Sequence, residues 1–141
     1  MRSSTATIVL RTLFGLAFVV FGLNKFLHFM PNPQEPAAAM NFFGALVSTG
    51  YFIPLLATTE IVSGALLLSG ILAPFGLVLL APVIVNIFMF HLFLAPGGLP
   101  MAIVFAALEM ILAWQYRWAY APIFSGRPEA IGPALAVDAR A

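Results

Sequence analysis

The chain contains no cysteine in its 141 residues. That removes disulfides, thiolate metal sites, CxxC redox chemistry and cysteine-held iron–sulfur clusters. Charge is the second scarcity. Asp, Glu, Lys and Arg make up 8% of the sequence, against about 25% in soluble domains. The net charge of +1 gives no basic footprint, so nucleic acid is not an expected partner. No nucleotide-binding loop is present either.

What fills the chain instead is apolar: 62% of residues are hydrophobic and the mean hydropathy is +1.06. Four apolar segments stand out, at residues 7–29, 52–72, 74–94 and 99–120. They are separated by the breakers "MPNPQEP", "STGY", "LAP" and "APGGLP". Each is close to the roughly 20 residues a helix needs to cross a bilayer. All are far longer than the roughly ten residues of a barrel strand. Lipid offers backbone groups no water to bond, and helices satisfy those groups internally. The expected fold is therefore all-α: a polytopic membrane protein whose residues 1–124 form a single four-transmembrane-helix bundle.

Residues 31–51 form the one large connection. Its prolines stiffen the lead, and "AAAMNFFGALVS" has the content of a short helix lying at the outer interface or capping the bundle. Residues 125–141 lose the apolar density and are expected to form a loosely held tail. Ala37-Ala38-Ala39 offers a signal-peptidase-like pattern. The apolar stretch before it is too long for a signal peptide and ends in Asn, Lys and His, so the first span is expected to be retained.

Arg2, Arg11, Arg117, Arg127 and Arg140 all fall at or beyond the side that holds both termini, whereas residues 31–51 and 96–100 carry no Lys or Arg. The positive-inside rule then places both termini in the cytoplasm. Trp114, Tyr116, Trp118 and Tyr120 are expected to form an interfacial aromatic belt on that side.

Ionisable groups inside a span are costly, turn inward and mark function more often than chance. Here they are Lys25, His28, Glu60, His91 and Glu109, joined by the neutral Asn24, Ser63 and Asn86. Arg11, Phe14, Phe18, Phe21, Lys25 and His28 recur at alternating spacings of three and four, one seam along the first helix. Ala102, Ala106, Glu109 and Ala113 make a small-residue stripe that turns Glu109 toward protein. At 1.5 Å per residue, Lys25 and Glu60 sit roughly 9 and 13 Å below the outer boundary, the best-matched pair of opposite charge. The expected site is Asn24, Lys25, His28, Glu60 and His91, with Asn86 and Glu109 as a separate polar pair near the midplane. No metal is expected.

The stretch "RTLFGLAFVVFGLNK", with Arg11, Gly15, Phe18, Gly22 and Lys25, and "EIVSGALLLSG", with Glu60, Gly64 and Gly70, resemble the DoxX family of small bacterial membrane proteins. The likeness extends over about residues 8–120. It implies a four-helix bundle in a bacterial inner membrane and supports Lys25 and Glu60 as shared features; Gly15, Gly22, Gly64 and Gly70 read independently as helix-contact positions. That family includes a subunit associated with thiosulfate:quinone oxidoreductase. The first functional reading is a non-catalytic accessory subunit of a larger membrane complex. The alternative is a quinone-linked subunit using Lys25, Glu60 and His91, with the redox centre supplied by a partner.

A small transporter or channel ranks third. Pro82 interrupts one span, but there is no internal repeat. His28 and His91 raise haem ligation, which ranks low because both are shallow and the resembling family is not known for haem. Quinone is the cofactor to expect if there is one. The partners are lipid and other membrane subunits or further copies of the chain.

Overall fold

A computed structural model describes residues 4–31 and 34–125, and among these every regular element is helical. Six helices follow in order. α1 is Thr5–Leu27, α2 Ala37–Ser48, α3 Phe52–Ser69, α4 Ala73–Phe93, α5 Leu99–Gln115 and α6 Arg117–Ser125; a 3-10 turn, Pro96–Gly98, leads into α5. Four helical stretches are long and apolar enough to cross a membrane: α1, α3, α4 and Pro96–Gln115. Of the expected tail at 125–141, Ser125 ends α6 and the rest, with Arg127 and Arg140, lies outside the described residues, as does Arg2.

The boundaries have local causes. Ser4 Oγ accepts from the Thr7 N–H at 3.1 Å and starts α1. α1 stops where His28 turns left-handed (φ 53°) and donates its N–H to the Asn24 carbonyl. Asn24 Oδ1 also accepts from the Met30 N–H at 2.7 Å. Gly70, in the left-handed region at φ 74°, ends α3, with Arg11 of α1 packed against it. Gly70 was expected at a helix contact; its role is the cap and the space it leaves for a guanidinium.

α1 packs against α3 and α5, and α4 packs against the same two. The spans thus close a ring in which α1 and α4 are diagonal. The α1–α3 contact is backbone on backbone: a Cβ added at Gly15 would come within 2.8 Å of the Gly64 carbonyl oxygen, and one at Gly64 within 2.6 Å of the Gly15 carbonyl. Inside the ring, Phe14, Phe18, Leu67, Leu77, Leu80 and Leu112 are fully buried. Outside it, apolar side chains such as Leu13, Leu55, Val85 and Met110 remain exposed on all four spans. A soluble protein would bury that surface; here it meets lipid.

The fourth apolar segment is shorter than expected. α5 ends at Gln115, and Tyr116 breaks the helix before α6 begins. The break splits the expected aromatic belt. Trp114 and Trp118 face outward, with Arg117 stacked 5.0 Å over Trp114. Tyr116 is buried, and Tyr120 O–H donates to the Pro74 carbonyl at 2.9 Å. Burial, with Glu109 and Tyr116 nearby, holds the Tyr120 phenol up to about 12.

Candidate functional site

At the end of the bundle that carries α2, the ring opens into a cavity of about 280 Å³. Its polar lining comes from three helices: Lys25 on α1, Glu60 on α3, and Asn86 and His91 on α4. Lys25 Nζ donates to Glu60 Oε2 at 2.6 Å. The two partners differ in access. The Glu60 side chain is 3% exposed and that of Lys25 23%, so the ammonium is the face of the pair that a ligand would meet.

The proximity of α1 and α3 makes this pair possible. Gly22, one turn before Lys25, has no room for a side chain because the Ala57 carbonyl and the Glu60 Cβ lie against it. On α4, His91 Nδ1 bonds the carbonyl of Ala95, two residues beyond the helix end, at 3.0 Å. Asn86 makes no hydrogen bond among the described residues, which leaves its amide available to the cavity.

The remaining walls are aromatic. Phe105 of α5 forms the floor with Phe18 and Phe21, ring centroids 5.7 and 5.8 Å away, and Phe14 packs against Phe105 at 5.9 Å outside the cavity. Phe42 and Phe43 of α2 reach Phe90 of α4 at 6.0 and 5.2 Å and close the opposite side. A planar ring can stack on such walls, and the polar groups can fix its orientation.

Of the five residues expected at the site, three line the cavity: Lys25, Glu60 and His91. Asn24 and His28 do not. Both are used in ending α1, and His28 is exposed, so the seam along α1 leaves the interior after Lys25. Asn86 and Glu109 do not form the expected pair. Asn86 joins the cavity, whereas Glu109 lies beneath the Phe105 floor, buried, with Oε2 lacking a hydrogen-bond partner among the described residues.

The expected line of Ala102, Ala106, Glu109 and Ala113 does face the bundle, and Phe105 and Leu112 share that inward side of α5 with it. The aromatic lining contributed by α2, Phe90 and Phe105 was not anticipated as part of the site. Its signal was present on α4, where Val83, Asn86, Ile87 and Phe90 repeat at helical spacing. Among the described residues, no three His, Asp or Glu side chains cluster to hold a metal ion.

The model of the DoxX family matches residues 6–92. That segment carries Lys25, Glu60, Asn86 and His91, and so all four polar residues of the cavity. No curated protein and no solved structure matches the chain.

Proposed function

The chain belongs to the DoxX family and is a multi-pass membrane protein, and from that premise we propose that it is a ligand-binding membrane subunit without a redox centre of its own. Its cavity takes the ring of a quinone-type lipid, and a partner oxidoreductase supplies the electrons. The observation that carries this reading is the placement of the Lys25–Glu60 pair at the wall of an open, aromatic-lined cavity. A pair serving only helix register would be expected to be sealed by packing. Lys25 Nζ would donate to a ring oxygen, Phe21 and Phe105 would face the ring, and Asn86 and His91 would complete the polar rim.

The cavity is what favours binding over pure scaffolding. Protein purified in mild detergent from quinone-containing membranes is expected to retain quinone. Asn86→Leu, which removes from the cavity wall an amide donor unpartnered among the described residues, should reduce that retention about tenfold, the effect of one hydrogen bond. Ala102→Leu, projecting into the cavity from α5, should abolish it. Both should keep the wild-type melting temperature within a few degrees. A quinone-free wild type, or variants that retain quinone fully, would return the protein to a scaffold role.

We place the termini in the cytoplasm of a bacterial inner membrane. Arg11 and Arg117 lie toward the terminal end of the bundle, and α2 with its flanking turns carries no Lys or Arg. A cysteine introduced at Gln34 is expected to react with an impermeant maleimide in intact cells, and one at Ser125 only after lysis. The opposite labelling pattern would invert the topology and turn the cavity toward the cytoplasm.

A further inference from the structure

The short turn after α4 does more than reverse the chain. A carbonyl oxygen can only accept, so in the bond between His91 and Ala95 the proton sits on Nδ1. In the neutral ring Nε2 is then bare, an acceptor with no partner among the described residues. The Leu94 and Ala95 N–H groups both donate to the Phe90 carbonyl, which fixes the course of the chain and hence the Ala95 oxygen. Gly98 lies against the ring, and a Cβ there would run into His91 at Cε1 and Nδ1 and come within 3.0 Å of Nε2. Its backbone (φ −90°, ψ −2°) suits any residue, so the glycine is required by the histidine and not by the turn.

Lys25 stands across from this acceptor. It lies two residues before the end of α1, and His91 two residues before the end of α4, on the diagonal helices of the ring. Glu60 engages one of the three ammonium donors of Lys25. Lys25 and His91 both line the one cavity, which therefore has a donor pole at Lys25 and an acceptor pole at His91, with aromatic side chains in the walls.

We infer that the Ala95–Gly98 turn locks His91 as a hydrogen-bond acceptor facing the cavity, so that the site prefers the hydroxyl-bearing, reduced form of a quinone-type ring over the oxidised form. This rests on the quinone-type reading above and narrows it to a redox state. One ring hydroxyl accepts from Lys25 through its oxygen, and the other donates to His91 Nε2. The oxidised ring has two carbonyl acceptors and nothing to offer Nε2, so one pole stays unmatched. Gly98 is a positioning residue that acts through His91.

The test uses the full chain in lipid nanodiscs. Equilibrium dialysis under anaerobic conditions measures three probes: decylhydroquinone, decyl-1,4-benzoquinone and the dimethyl ether of the hydroquinone. Wild type should bind the hydroquinone about tenfold more tightly than either other probe, the worth of one hydrogen bond. Gly98→Ala should bring that ratio to about one while leaving benzoquinone affinity and melting temperature unchanged. Gly97→Ala, whose methyl would meet open space, should keep the preference.

Nitrogen-15 NMR of the imidazoles, with His28→Gln to assign the signals, should show a bare Nε2 on His91 in wild type and Gly97→Ala. Gly98→Ala should lose that signature. Equal binding of the two redox forms by wild type, or a proton on Nε2, overturns the inference and leaves the binding site standing. Failure to bind any of the three rings removes the site itself.

Discussion

Gly64→Leu is expected to leave no folded bundle to purify. The reason is reciprocal: Gly15 and Gly64 each fill the space where the other's Cβ would be, and the nearest atoms are main-chain. At Gly64 these are the Gly15 carbonyl at 2.6 Å and the Val19 nitrogen at 2.9 Å, with Val19 Cγ2 at 2.8 Å. Main chain inside a helix cannot swing aside as a flexible side chain can. Leucine would therefore force α1 and α3 apart along much of their contact, beyond the 1–3 kcal/mol usual for an overpacked core. A loss above about 4 kcal/mol, seen as failure to accumulate in the membrane, is the expected scale. Gly64→Ala should survive with a melting temperature lowered by several degrees. Gly44→Leu, on α2 with nothing within 4 Å, should be nearly silent. A Gly64→Leu protein that melts like wild type would mean that α1 and α3 are not in backbone contact.

That contact was written plainly in the sequence, because glycine in a helix interior costs about 1 kcal/mol relative to alanine and is rarely placed there without cause. The four spans and the short helix over 37–48 were equally legible, since hydropathy and proline punctuation act locally. The end of the fourth span was not. The apolar run continues through Trp118 and Tyr120, and only tertiary contacts, Tyr116 turned inward and Tyr120 bonded to Pro74, break the helix at Gln115. The site was half legible for the same reason. Depth arithmetic along straight helices brought Lys25 and Glu60 together. It could not show that α1 ends at His28 and carries that histidine outward, because periodicity assumes that the helix continues. Nor could it separate Asn86 from Glu109. Their depths are similar, and what divides them is the Phe105 floor, a packing fact contributed by α1 and α5 together.

The Lys25–Glu60 pair should show a strongly non-additive and asymmetric double-mutant cycle. Lys25→Met strands Glu60, whose side chain is 3% exposed, with a charge and no cation beside it. Breaking a buried pair from one side costs about 3–5 kcal/mol, and the partial access of Lys25 argues for the lower end, about 3. Glu60→Gln should cost less. The amide can still accept from Nζ, and an ammonium 23% exposed can lean along its stem toward the headgroups. In Lys25→Met/Glu60→Gln neither charge remains to be compensated, so the double variant should regain at least half of the loss seen in Lys25→Met. Thermal melting in one detergent, read for all four proteins, gives the cycle. Additive losses would mean that the two side chains do not meet. A double variant as stable as wild type but unable to retain quinone would assign the pair to ligand binding instead of helix register. The exposure of Lys25 to the cavity favours that second outcome, because a charge kept only for register has no reason to face an opening.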